Sequence, residues 1–293
     1  MRGQPARRLG GLGILLAAAL LSAAQRYPAS GLILEVDHSH KSFLASCKAI
    51  PGYMDAMVMP IPVHDAKVLD SLQPNTIVDF TLVVTGKDAW AEDIQVHHFQ
   101  SLEQDPFQAH GLQLIETFGH SAAAAREIAA GQPVPDFTLT DQTGRRISLS
   151  QFKGKVVAAA FVYTSCPLPN YCFRLSNNLG QLQKRFAGRL GRDLILLSIT
   201  IDPDRDTPAV LAKYAATWKA DSASWHFLTG PEADVRAVSH RFGVNFWPSE
   251  GALTHSLHTI VIDRQGRLAA NLEGNEFTAR QLGDLVAAQM KTP

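Results

Sequence analysis

The sequence predicts an α/β C-terminal domain behind a small all-β N-terminal one. From Asp136 onward, short apolar runs alternate with helical periodicities, as in a sheet crossed by helices. From about Gly31 to Phe118, runs rich in β-branched residues follow one another with few helical patterns between them. A third observation lies within the α/β part. Cys166 and Cys172 occupy Tyr163-Thr-Ser-Cys-Pro-Leu-Pro-Asn-Tyr-Cys172, directly after the apolar run Val156 to Val162. That puts a dithiol where a buried strand ends and a helix begins.

The chain's 293 residues suffice for two ordinary domains. Its 27 basic and 27 acidic residues cancel to a formal charge of +0, which leaves no basic excess for nucleic acid. At the N-terminus, Arg2, Arg7 and Arg8 precede an apolar, acid-free run from Leu9 to Leu21, followed by Ser22-Ala-Ala24. A basic start, a short apolar core and small residues read as a secretory signal over residues 1–24. The competing reading is an uncleaved anchor that keeps the protein close to a membrane. The run is shorter than the roughly 20 residues that cross a bilayer comfortably. Export is therefore the expectation, and export means an oxidising compartment. There, a Cys166–Cys172 disulfide would leave Cys47 as an odd thiol, which burial or a metal would have to protect.

The all-β domain is expected over residues 30–118. Gly31-Leu-Ile-Leu-Glu-Val36 alternates in part, Thr76 to Val84 is β-branched, and Ile94-Gln-Val96 leads into His97-His98. Short strands broken by Pro and Gly suggest a small barrel. The small-residue stretch His120 to Gly131 cannot supply a core and reads as the linker, 119–132.

The α/β domain follows over 133–293. Val156–Val162 and Leu194–Ile201 are continuous apolar runs, as central strands buried on both faces require. Between them Leu175, Leu179, Leu182 and Phe186 recur at helical spacing, which predicts a helix over Phe173–Phe186. Thr207-Pro208 opens a second helix to about Trp218, with Thr as N-cap and Pro in the first turn. A third helix covers Glu232–Arg241. His258–Ile262 and Leu268–Leu272 flank a hairpin turn at Asp263-Arg-Gln-Gly266, and Thr278–Met290 makes the last helix.

Backbone N–H groups at a helix start favour negative charge and so ease thiolate formation. Two thiolates there can exchange with disulfides or hold a soft metal. Asp202, Asp204 and Asp206 form an acidic run nearby, read as a solvated turn in which Asp206 and Thr207 cap the next helix.

The motifs narrow the choice. Pro135-Asp-Phe-Thr-Leu139, Phe161-Val-Tyr-Thr-Ser-Cys-Pro167, Ile199-Thr-Ile-Asp-Pro-Asp-Arg-Asp-Thr-Pro208, Phe227-Leu-Thr-Gly230 and Thr254-His-Ser-Leu-His-Thr-Ile-Val-Ile-Asp263 run in one order. Together they resemble the SCO/SenC family of thioredoxin-fold copper proteins. The resemblance implies a thioredoxin-like fold and a copper site of two cysteines and one histidine, here Cys166, Cys172 and His255. Two thiolates suit Cu(I), and one imidazole completes a three-coordinate site that also accepts Cu(II). His258 is the second candidate histidine. The family usually has three residues between its cysteines; this chain has five. Pro167 and Pro169 oppose a helix starting at Cys166. Cys166 is therefore expected on the loop, Cys172 in the first helical turn, and the insert bulged outward.

A second run, Cys47-Lys-Ala-Ile-Pro-Gly-Tyr-Met54-Asp-Ala-Met57-Val-Met59-Pro60, holds three of the five methionines. On a strand Met57 and Met59 would face the same side. Thioethers bind Cu(I) without deprotonation, although methionine is also common core filler. The run resembles the CusF-like periplasmic copper-binding barrel, an OB-like fold in which a histidine and a Met-x-Met pair hold Cu(I). Cys47 stands at the histidine position, and Met54 is a fourth ligand or a lid. His97 and His98 read as strand-end surface.

These readings imply an exported, periplasmic copper metallochaperone. The barrel would capture or present Cu(I), and the dithiol domain would pass it to a respiratory oxidase subunit for assembly of its copper centre. The competing enzyme reading is a thiol–disulfide oxidoreductase with Cys166 as nucleophile and Cys172 resolving. Copper buffering or resistance without a dedicated client is the third.

Overall fold

The computed structural model describes residues 24–86, 88–97, 127–249 and 252–291. The expected signal (except Ala24), residues 98–118 of the expected barrel, His98 among them, and the first part of the expected linker lie outside these.

Five antiparallel strands form the N-terminal sheet: β1 (Gln25–Asp37), β2 (Ser42–Cys47), β3 (Met57–Pro62), β4 (Ile77–Thr85) and β5 (Asp88–His97). Their spatial order is β3-β2-β1-β4-β5, and the two outer strands approach through a parallel bridge between Val63 and Ala91. β1 starts at Gln25, six residues before the first strand signal in the sequence. Its first half, through Leu32, pairs with β4; from Gly31 on it pairs with β2, across a bulge between Ile33 and Glu35. That sharing explains the imperfect alternation. Ile33 faces the sheet's own core with Phe43, Ile61 and Phe80, whereas Leu32 is fully buried in the core of the α/β domain. One face packs inward, and the other packs on the second domain.

The α/β domain is built on a seven-stranded sheet. Its strands are β6 (Thr138–Asp141), β7 (Arg146–Ser148), β8 (Val156–Val162), β9 (Leu194–Thr200), β10 (Trp225–Thr229), β13 (His258–Ile262) and β14 (Leu268–Glu273). A separate hairpin joins β11 (Phe246–Ser249) to β12 (Ala252–His255). The order is β14-β13-β8-β9-β10-β6-β7, with β8, β9 and β10 parallel. Every residue of β8 and β9 is buried, as their unbroken apolar runs require. Four helices complete the domain: α1 (Arg174–Arg185), α2 (Pro208–Thr217), α3 (Glu232–His240) and α4 (Ala279–Gln289). α1 and α4 pack on each other and on β8, and α2 lies against β10 and β6. This is the thioredoxin-like arrangement.

Part of the stretch read as a linker is docked. Ile128 N–H donates to Arg241 O at 2.9 Å, and Gly131 N–H to Leu268 O at 2.7 Å.

A buried polar network fixes the N-terminal sheet to α4. Ser46 Oγ donates to Asp284 Oδ2 at 2.6 Å, Arg185 Nη2 pairs with Asp284 Oδ1 at 2.5 Å, and Gln281 Nε2 donates to Ser46 O at 3.0 Å. Arg185 reaches Asp284 across Gly283, where a Cβ would lie 2.5 Å from Nη1. Asp284→Ala strips the acceptor from a buried hydroxyl and a guanidinium together. Such losses cost about 1–3 kcal/mol per orphaned group. A destabilisation of at least about 2 kcal/mol is expected in urea unfolding of the full chain; an unchanged midpoint would show that the network contributes nothing.

Candidate metal centre

β8 ends at Val162, and the chain then turns through Tyr163, Thr164 and Ser165 to Cys166. Cys166 is partly buried, and residues 167–170 are exposed, so the insert bulges outward. Its end is a single π-turn, Pro169–Phe173, in which Tyr171 departs from helical geometry (φ −107°, ψ −108°). The wider turn absorbs the extra residues and brings Cys172 back against the sheet, 1 % exposed, just ahead of α1. Asn275 Nδ2 donates to Asn170 O at 2.5 Å and holds the bulge in place.

All three cysteines are free thiols. The Cys172 thiol donates to Cys166 Sγ, and that bond is the chief reason the Cys166 thiol falls from its usual range to about 6. Cys172 moves the other way: the same bond, burial and the charge on Cys166 all keep its proton on. The pair therefore holds one thiolate, on the more accessible sulfur. Alkylation by iodoacetamide should strike Cys166 first, with a rate that rises through a midpoint near pH 6 and flattens above it. Peptide mapping across pH checks this, and a midpoint at the ordinary thiol value would refute it.

His255 comes from the end of β12. Its Nε2 lies 3.6 Å from Cys172 Sγ, and its Nδ1 lies 2.9 Å from Ser256 O. A carbonyl can only accept, so Nδ1 carries the proton and the Nε2 lone pair faces the thiol. Burial lowers the His255 pKa to about 4 and keeps the ring neutral. A neutral imidazole aimed at a dithiol is a soft-metal donor set, and these residues fit copper. The three are linked through Cys172 rather than closed on one point. Among the described residues, no three His, Cys, Asp or Glu side chains are close enough to grip an ion as they stand. His258 is turned away: its Nδ1 is 2.9 Å from Asn271 Oδ1, and its ring also bonds the Gly243 backbone.

Two supporting residues escaped the sequence reading. Asp206 was expected to cap α2, but Thr207 alone does so, accepting from Val210 N. Asp206 is fully buried and accepts from Thr164 Oγ1 at 2.5 Å, Thr164 N at 3.1 Å and Thr200 Oγ1 at 2.5 Å. It thus pins the turn that presents Cys166 to the end of β9. A cap needs only a polar side chain before a helix, and the sequence offers the same signal for either role. Tyr163 is the other. Its hydroxyl is shared between Leu253 O, at 3.1 Å, and the Cys166 side chain, and its ring stands edge-on to His255 at 5.7 Å. It links the cysteine turn to the hairpin that carries His255.

The second group of sulfurs lies in the N-terminal sheet. Cys47 on β2 is the direct partner of Met57 on β3, and Ala45 is that of Met59. Cys47, Met57 and Met59 therefore share one face, with Ile61 beyond them in the core. Met57 is 45 % exposed, Met59 is partly buried, and Ile61 is fully buried, so the methionines run from the rim inward. Met54, bridged to Ile50, packs against the same cluster. Burial pushes the Cys47 thiol up to about 11. Cys47, Met54 and Met59 pack in the core of the N-terminal sheet, whereas Cys166 and Cys172 pack in that of the α/β domain.

Comparison with known proteins gives three kinds of match. The SCO1/SenC family model matches residues 125–291. The SCO1 protein homolog of Bacillus subtilis is 34 % identical over 97 residues, covering 33 % of this chain and 49 % of that protein. A Stutzerimonas stutzeri protein that carries copper binding in its name is 27 % identical over 144 residues, 47 % of this chain and 68 % of that one. The matched stretch thus spans about half the length of the Bacillus relative. Among solved structures, yeast Sco1 with copper bound superposes with a TM-score of 0.46 and 26 % identity, covering 54 % of this chain and 88 % of that one.

Proposed function

The chain belongs to the SCO1/SenC family, and on that premise we propose that it is an exported copper metallochaperone whose cargo is held by Cys166, Cys172 and His255. The observation that carries this reading is the neutral His255 Nε2 set 3.6 Å from Cys172 Sγ, with Cys166 bonded to the same sulfur. A dithiol used only for exchange has no need of an imidazole lone pair pointed at its buried sulfur. Cys166, Cys172 and His255 would hold Cu(I), with the Cys172 proton released on binding. The N-terminal strands are read as an OB-like, CusF-like barrel with a second Cu(I) site of Cys47, Met57 and Met59, with Met54 beside it. Thioethers need no deprotonation, which offsets the reluctance of buried Cys47 to ionise. The basic and apolar start of the chain is read as the export signal to the periplasm, or as its anchor there.

The proposed client is a respiratory oxidase subunit awaiting its copper centre. The test is anaerobic transfer from the Cu(I)-loaded full chain to the copper-free soluble domain of such a subunit. Cys166→Ser should abolish delivery by the dithiol site; full metallation of the client by that variant would sink the proposal.

One observation favours the oxidoreductase reading as a second function of the same pair. Cys166 is the accessible, ionised sulfur and Cys172 the buried, protonated one, which is the division of labour of a nucleophilic and a resolving thiol. Turnover on a disulfide substrate that survives His255→Ala would support it.

A further inference from the structure

Between the N-terminal sheet and the cysteine turn lies a polar cleft of 550 Å³. Its volume lies within the range of small-molecule sites, and it is open to solvent. Lys48, one residue after Cys47, and Arg174, two residues after Cys172, both line it. Asp79 and Glu276 complete the charged lining, together with His97. Both acids are already engaged, since His97 bridges them with Nε2 at 2.6 Å from Asp79 and Nδ1 at 3.1 Å from Glu276.

The donors are not engaged. Among the described residues neither Lys48 nor Arg174 makes an ion pair or a side-chain hydrogen bond. Both side chains are partly buried, and partly desolvated cations that share one cleft without partners repel each other. Each carboxylate is tied to His97 through one oxygen, whereas the two cations have no partner among the described residues, so the group that would engage them is an acceptor with negative charge.

We infer that this cleft binds a small oxyanion, a phosphate or a carboxylate, held by Lys48 and Arg174. The anion would brace the segment after Cys47 against the turn that carries Cys172, and so join the two sulfur-bearing regions. The inference concerns the metal-free protein and does not depend on the copper reading.

The test uses the full chain, reduced and metal-free, titrated at constant ionic strength with inorganic phosphate and separately with succinate, followed by amide NMR shifts. Saturable shifts at Lys48 and Arg174 are expected. Lys48→Gln and Arg174→Gln should each weaken the midpoint about tenfold or more, the usual worth of one charge-assisted hydrogen bond. Lys213→Gln, an exposed cation on α2, should leave it unchanged. Saturation by phosphate alone assigns the site to a phosphate group, and by succinate as well to oxyanions generally. Shifts that do not saturate, or that are equal in all three variants, overturn the inference.

Discussion

Replacing His255 by alanine is expected to weaken Cu(I) binding at the dithiol by more than about 100-fold. Removing a group that merely orients a metal ligand typically costs 10–100-fold, so losing a ligand should cost more. The measurement is anaerobic competition between the reduced full chain and a chromophoric Cu(I) chelator. It is made in a Cys47→Ser background, so that the sulfurs of the N-terminal sheet do not compete. Protonation does not confuse the result. Burial lowers the His255 pKa to about 4, so from pH 5 upward the ring is neutral and available. Cys166, at about 6, loses its proton as pH rises through that value, while the Cys172 proton is displaced by the metal throughout, so affinity should rise with pH more steeply below about pH 6 than above it, from the thiols and not from the histidine. His258→Gln is the internal control: that ring is spent on Asn271 and the Gly243 backbone, and its loss should leave one equivalent bound. Equal affinity with and without the His255 imidazole would leave a two-sulfur site, and the redox reading would then gain.

The sequence was most legible where burial dictates pattern. β8 and β9 are buried along their whole length, and an unbroken apolar run admits few other readings. The hairpin at Asp263–Gly266 was legible because a particular side chain must occupy a particular backbone position, whereas Thr278, read as the first residue of the last helix, is its N-cap. Thr278 and Gln281 form a reciprocal capping box. Legibility fell where one strand serves two cores. Leu32 and Ile33 are adjacent, equally apolar and fully buried, yet their side chains enter different cores. No period within β1 could reveal that the strand is sandwiched. The site was read in halves. Cysteine and histidine announce their chemistry by type, so Cys166, Cys172 and His255 could be proposed from motif and resemblance, and the fold brings them into one neighbourhood. Five intervening residues carried no instruction for a π-turn, and no local pattern distinguishes a capping aspartate from one that reaches back 42 residues to Thr164.

That aspartate carries the second large effect. Asp206→Ala leaves Thr164 N–H and two threonine hydroxyls without their acceptor in a fully buried place. At about 1–3 kcal/mol for each orphaned donor, and with some relaxation, a loss of about 3 kcal/mol or more is expected. For a domain of this size that lowers the midpoint of thermal unfolding by roughly 6–12 °C. Stability is only half of the prediction, because any buried network would show it. Thr164 is two residues from Cys166, so the turn that presents the thiolate is released together with the carboxylate. Iodoacetamide reactivity of Cys166, measured well below the new unfolding midpoint, should then lose its midpoint near pH 6 and move toward an ordinary thiol. Asp206→Asn separates the two contributions. It keeps one carbonyl oxygen to accept from Thr164 or Thr200 but cannot satisfy both threonines through two oxygens, so it should recover part of the stability and part of the reactivity. If Asp206→Ala unfolds earlier while Cys166 titrates as before, the carboxylate supports the fold without positioning the thiol. If the two properties fall together and return together in Asp206→Asn, the acidic turn belongs to the metal centre as the residue that sets where its accessible sulfur stands.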